Sequence, residues 1–155
     1  MDNVNIVRAG YIAPVMRIPD TDGEMADPID RVDARFTCLA FVNPDAQGAL
    51  IVRALENKLP RTASGLEQVL AVVMPCRQKA GRRFKKQTRF TSRAFCDPDL
   101  RCGHLFGIVD SSSARPAYHP AVFVVGDDGI VRYRQLGDYS GFHTHSFLAA
   151  AGTLT

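Results

Sequence analysis

The sequence predicts an α/β fold: a three-layer α/β/α sandwich around a mixed central sheet, with an N-terminal β-hairpin extension and a C-terminal β-hairpin plus helix. Three observations predict it. Continuous apolar runs of strand length alternate with amphipathic segments between residues 35 and 108. Beyond that point an Asp-Asp-Gly turn, Asp127 to Gly129, separates two further strand-like runs. A chain of 155 residues, 46% hydrophobic and 23% charged, fits a single domain over 1–155 that buries a full core.

Each element has its own warrant. Residues 1–34 are polar and turn-rich, and "PDTDGE" (19–24) carries the Asp-Gly signal of a tight turn between two short extended pieces. "RFTCLAFVN" (35–43) is apolar throughout, as a strand buried on both faces of a parallel sheet requires. A helix over 48–59 follows, with Leu50 or Ile51, Leu55 and Leu59 on one face, Arg53, Glu56 and Lys58 away from it, and Pro60 as its stop. "EQVLAVVMP" (67–75) is the next buried strand. After it, "RQKAGRRFKKQTRFTSR" (77–93) reads as an amphipathic helix whose inner face is Ala80, Phe84 and Gln87. "SRAFCD" (92–97) is a shorter strand, and "DPDLRCGHLFGI" (97–108) a short helix with Asp97 or Asp99 suited to its N-cap. "AVFVVGDDGIVRYRQLG" (121–137) is a hairpin, and "SGFHTHSFLAAAG" (140–152) a final helix. Parallel crossovers ending in an antiparallel hairpin give the mixed sheet.

Composition excludes several functions. The eight Lys and Arg of 77–93, with no acid among them, are the solvated face of a helix; no nucleic-acid motif or aromatic stacking pattern accompanies them. No segment approaches the roughly 20 apolar residues that cross a bilayer, so a soluble, cytoplasmic protein without membrane contact is expected. The cysteines at 38, 76, 96 and 102 are too few for a disulfide scaffold and are read as thiols.

The order and spacing of these pieces resemble the thioredoxin fold in its peroxiredoxin-like branch, the alkyl hydroperoxide reductase and thiol-specific antioxidant family with the related thioredoxin-like thiol oxidoreductases. "AGYIAPVMRIPDTDGE" looks like that family's opening and "HPAVFVVGDDGIVRYRQLGD" like its closing hairpin. The resemblance covers nearly the whole chain. It implies antioxidant chemistry on peroxides or disulfides, no cofactor, a thioredoxin-type reductant or partner peptide as partner, and it allows a homodimer.

At the turn where such families place a reactive cysteine, this sequence has none. Helix dipole and free backbone N–H groups there would favour a thiolate. Laid over the Cys-x-x-Cys pattern, the chain reads Ala46-Gln47-Gly48-Ala49; laid over the peroxiredoxin pattern it keeps Pro44 but has Gly48 for the Thr and Ile51 for the Cys. The peroxiredoxin Arg before the last hairpin is replaced by Pro120. The resemblance to thioredoxin-like proteins implies a cis bond at Pro120, packed against the turn; a trans proline starting a strand is the ordinary alternative.

The remaining cysteines then compete for the chemistry. Cys76 and Cys96 fall at the C-terminal ends of parallel strands, the edge that carries the turn. Cys102, six residues beyond Cys96 at a helix start that would lower its pKa, pairs with Cys96 if their Cα atoms come within about 7 Å. Cys38, inside "FTCLAF", is a core residue. The "HTH" of His143 and His145 and the copper chaperones of this fold raise a metal reading. Histidines two apart on a helix point different ways, however, and no soft Cys-x-x-x-Cys set accompanies them, so no metal is expected. Two functions remain open. One is a thiol oxidoreductase with a degenerate site and displaced catalytic cysteines, Cys96 and Cys102. The other is a redox-inactive module that holds a partner peptide or small ligand in a groove formed by Pro44, Asp45, Ala46, Gln47, Gly48, Ala49, Cys76, His119 and Pro120.

Overall fold

Parallel pairing of three buried strands organises the chain. The computed structural model describes residues 6–29, 36–58 and 70–137. In order they form β1 (Ile18–Pro19), β2 (Met25–Ala26), β3 (Phe36–Phe41), α1 (Ala46–Lys58), β4 (Leu70–Met74), α2 (Gln78–Thr88), β5 (Arg93–Cys96), α3 (Arg101–Phe106), β6 (Ala121–Gly126) and β7 (Val131–Leu136). The main sheet has the order β5-β4-β3-β6-β7. β3, β4 and β5 run parallel, while β6 pairs antiparallel with β3 and β7 with β6. Mixed sheet, helical layers and both hairpins therefore stand as the sequence predicts. The final helix expected over 140–152, with His143 and His145, lies outside the described residues, as do Leu59 and Pro60.

All residues of β3, β4 and β6 are buried, which explains their unbroken apolar runs. Alternation along β3 divides the core. Cys38 and Ala40 face Ile51, Val52 and Leu55 of α1 and Phe84 of α2. Leu39 and Phe41 face Phe106 of α3, Tyr118 and the N-terminal residues Ile6, Val7 and Met16. Phe41 is the hub of the second face: its ring centroid lies 4.9 Å from Phe106, 5.4 Å from Tyr118 and 5.8 Å from Phe123.

The buried stripe of α2 differs from the expected one. Gly81, Phe84 and Thr88 face the sheet, while Ala80 and Gln87 are exposed. Gly81 decides this register: a Cβ there would lie 3.0 Å from Cys96 Sγ, so only glycine lets α2 close on β5 without displacing that sulfur. On α1, Ile51 rather than Leu50 is the buried alternative. Glu56 ties α1 to the start of β5 by accepting bonds from the backbone N–H groups of Thr91 and Ser92 and from the Ser92 hydroxyl.

The N-terminal hairpin covers a sheet edge. Asp20 Oδ1 accepts from the N–H groups of Asp22 and Glu24, and Gly23 takes a positive φ, shaping the turn the Asp-Gly pair predicts. Beyond β1, Thr21 N–H donates to Ala94 O at 3.1 Å, occupying the free side of β5.

Replacing Phe41 by Ala removes the hub of the aromatic cluster and is expected to cost about 3–5 kcal/mol. Urea unfolding of the variant against wild type measures it.

Candidate functional site

The turn after β3 is built by its own backbone and one carboxylate. Asp45 Oδ1 accepts from Gly48 N–H at 2.8 Å and the Asp45 carbonyl from Ala49 N–H at 3.0 Å, so Asp45 is the N-cap and the helix starts at Ala46, two residues before the expected position. Gly48 has no room for a side chain: a Cβ would sit 1.9 Å from the Asn43 carbonyl oxygen. Ile51, at the peroxiredoxin cysteine position, is 3% exposed and points into the core with Val52 and Leu55. The turn therefore offers no nucleophile.

Asn43 joins this turn to the segment before β6. Its Nδ2 donates to Tyr118 O at 3.0 Å and its Oδ1 accepts from Tyr118 N–H at 2.8 Å, a two-way clamp between the residue before Pro44 and the residue before His119-Pro120. His119 N–H donates to Ile108 O at 2.7 Å, and Pro120 O accepts from Gly137 N–H at 3.0 Å. The expected cis bond is corrected: no peptide bond among the described residues is cis, Pro120 included. The trans form is the ordinary one for an X-Pro bond, the cis form being only about 5–6% of such bonds in folded proteins. His119 Nε2 is buried without a hydrogen bond, 3.9 Å from Asp110 Oδ1.

A buried carboxylate stands one residue past Cys96. Asp97, 2% exposed, accepts from Cys102 N–H (3.1 Å), Gly103 N–H (3.0 Å) and the Tyr118 hydroxyl (2.6 Å). Three donors satisfy a group that burial would otherwise penalise heavily. The N-cap of α3 is Leu100 and not Asp97 or Asp99 as expected; Asp97 reaches the helix's N–H groups from three residues upstream, and its bond to Tyr118 was not legible in the sequence, because 20 residues separate the two.

The expected pair of Cys96 with Cys102 is not brought together. Cys102 packs on the α3 face with Phe106 and Tyr118, whereas Cys96 turns its sulfur to Gly81 of α2 on the opposite face. The helix start does not make Cys102 acidic either. Burial, and then the Asp97 charge beside it, push its thiol up to about 12. Burial likewise raises Cys38 far above the ordinary thiol range.

Cys96 has a different partner. Met74 is opposite Cys96 in the β4–β5 ladder, and Asp97 N–H donates to Met74 O at 2.8 Å. The chain then turns through Pro75, and Cys76 packs on the α1–α2 face with its thiol within hydrogen-bonding reach of Cys96. The two sulfurs act on each other: beside the Cys76 thiol, and helped by the Arg82 charge, the Cys96 pKa is lowered against burial and the Asp20 carboxylate, while that of Cys76 is raised. Cys96 is 1% exposed yet lines a pocket of about 420 Å³ with Arg77, Gln78, Lys79 and Arg82. Among the described residues, no three of His, Cys, Asp and Glu cluster as metal ligands would, and no helix is long and apolar enough to cross a membrane.

Comparison with solved structures defines the frame in which these groups sit. A thiol peroxidase from Chromobacterium violaceum superposes with a TM-score of 0.78 at 11% identity, over 96% of this chain and 88% of that one. A peroxiredoxin-like protein from Aquifex aeolicus does so with a TM-score of 0.70 at 16% identity, over 97% and 89% of the two chains. The fold is thioredoxin-like. A chain assigned as the thiol:disulfide interchange protein DsbE, from Chlorobium tepidum, is also similar: TM-score 0.75, 14% identity, covering 96% of this chain and 98% of its own. No protein-family model matches the sequence, and no curated protein matches it at a significant level. Within this thioredoxin-like frame Cys76 and Cys96 follow β4 and end β5, beside the turn and not on it.

The thiols should therefore differ in reactivity. Methyl methanethiosulfonate is expected to modify Cys76 and Cys96 in the native protein, and Cys38 and Cys102 only after unfolding. Because the thiolate is the reacting form, modification of Cys96 should rise with pH through a midpoint below that of a free thiol, about 8.5. In Cys76→Ala, which removes the neighbouring thiol, that midpoint should move up. Mass spectrometry of quenched samples across pH 5 to 10 reads both.

Proposed function

We propose that the protein is a two-cysteine thiol oxidoreductase that reduces hydroperoxides, with Cys96 as the attacking sulfur and Cys76 as the resolving one. The observation that carries this reading is the register that sets Cys96 opposite Met74, two residues before Cys76, with the Cys96 side chain lining a pocket and the Cys76 thiol acting on it. It replaces the Cys96–Cys102 pair expected from the sequence, and treats the sulfur-free 43–49 turn as a degenerate site whose chemistry has moved to the adjacent strand ends.

The chemistry balances within this pair. The Cys96 thiolate attacks one peroxide oxygen; an S–O bond forms, the O–O bond breaks, and the alkoxide leaves to be protonated as alcohol. Cys76 then attacks the sulfenic sulfur, the S–S bond forms and the oxygen leaves as water. An external thiol reductant, small or of thioredoxin type, restores the pair by exchange, with two electrons passing from its thiols to the disulfide. Burial of Cys96 favours small oxidants that enter the pocket over protein disulfides, and the half-exposed Cys76 is the sulfur a reductant reaches.

A second reading rests on the Asn43 clamp, which ties the residue before Pro44 to the residue before His119-Pro120. There the protein is a redox-inactive module holding a peptide or small ligand.

Peroxide consumption coupled to dithiothreitol separates the two. Cys96→Ser should lose at least about a hundredfold of the rate, since an alcohol does not form the corresponding nucleophile at neutral pH. Cys76→Ser should accumulate a sulfenic acid on Cys96 that dimedone traps. Wild-type rates in Cys96→Ser, or no consumption by any form, would establish the binding-module reading instead.

A further inference from the structure

The pocket in front of Cys96 carries more positive charge than one thiolate uses. Arg77, Lys79 and Arg82 line it, and no acid is among its lining residues. Arg82 is already engaged: it donates to the Thr21 carbonyl at 3.0 Å, which fixes the guanidinium where its charge acts on the Cys96 sulfur. Among the described residues Arg77 and Lys79 have no such partner. Both are exposed at the first turn of α2, where Arg77 makes no side-chain capping bond and no acidic residue follows. Among the described residues no carboxylate caps the backbone N–H groups of that turn, and such a helix start favours a bound anion. The volume, about 420 Å³, is that of a small-molecule site, which typically holds about 300–1,000 Å³. Asp20, the acid that acts on Cys96, stands on the N-terminal hairpin and not in the lining.

We propose that this pocket is a carboxylate subsite, and that the protein's substrates are small organic hydroperoxides bearing a carboxylate. Arg77 pairs with the carboxylate through its planar fork and Lys79 supplies a second charge, leaving the peroxide end of the molecule directed at Cys96. This inference rests on the assignment of Cys96 as the attacking sulfur. The carboxylate is a spectator: the peroxide O–O bond breaks, one oxygen passes to sulfur, the other leaves in the alcohol, and both electrons come from Cys96.

Binding and turnover test it separately. The inert analogue 4-isopropylbenzoate and its methyl ester are titrated against the reduced protein at low salt, with amide shifts at residues 77–82 and 96 as the readout. The acid is expected to bind at least about tenfold more tightly than the ester, a difference of one charged hydrogen-bonded contact. In the Arg77→Gln/Lys79→Gln variant that ratio should fall toward one, with its fold checked by circular dichroism. The carboxycumene hydroperoxide and its methyl ester are then compared by kcat/KM, with the same preference expected in wild type and its loss in the variant. Equal binding of acid and ester, or shifts confined to other residues, overturns the carboxylate subsite. Turnover of both peroxides at equal kcat/KM also overturns it while leaving the thiol chemistry intact. Selective binding of the acid with no turnover of any peroxide upholds the subsite and overturns the thiol reading.

Discussion

The parallel pairing of β4 with β5, in the register that sets Met74 opposite Cys96 and closes with Asp97 N–H on Met74 O, determines the arrangement of everything at this edge of the sheet. Successive side chains on a strand point to opposite faces. Cys96 is thereby delivered to the α2 side, against Gly81 and Cys76, and Asp97 to the α3 side, against Cys102, Gly103 and Tyr118. A slip of one residue would bury the carboxylate against Phe84 and Met74 without donors and would turn the thiol toward Tyr118. The short stretch of ladder thus serves as the common support of two chemically different surroundings.

Those surroundings explain why four cysteines have different characters. Cys38 and Cys102 are held in apolar packing where the charged form is penalised, and for Cys102 the neighbouring carboxylate adds to the penalty. Cys96 is as deeply buried by exposed area, but the Cys76 thiol and the Arg82 charge act on it. Burial alone does not silence a thiol; burial without a donor or a cation does. The same logic accounts for Tyr118, whose hydroxyl is pushed well above its ordinary range by burial and then by the Asp97 charge, and which therefore serves as a donor.

Much of the fold was legible because its signals are local. Unbroken apolar runs marked β3, β4 and β6, and Asp-Gly pairs marked both hairpin turns, since a strand buried on both faces and a turn needing positive φ each restrict the residue types allowed. The absence of sulfur from the 43–49 turn was equally plain. What escaped sequence reading depends on distant contacts. Gly81 and Thr88 could be recognised as the inner face of α2 only once Cys96 stood opposite Gly81, because neither residue is strongly apolar. Nearness in the chain favoured Cys102 as the partner of Cys96, whereas strand alternation sends the two to opposite layers and the ladder brings in Cys76, 20 positions earlier. Asn43 and Tyr118, 75 positions apart, had no sequence signal at all.

Disulfide connectivity is the most direct measure of this account, because it depends on the register of β4 against β5 and not on likeness to any other protein. The reduced wild-type protein is treated with one equivalent of hydrogen peroxide, quenched in acid with the free thiols alkylated, digested, and mapped by mass spectrometry. An intramolecular Cys76–Cys96 bond, with Cys38 and Cys102 recovered as free thiols, is the expected result. A Cys96–Cys102 bond, or oxidation that leaves Cys76 and Cys96 both reduced, would contradict it.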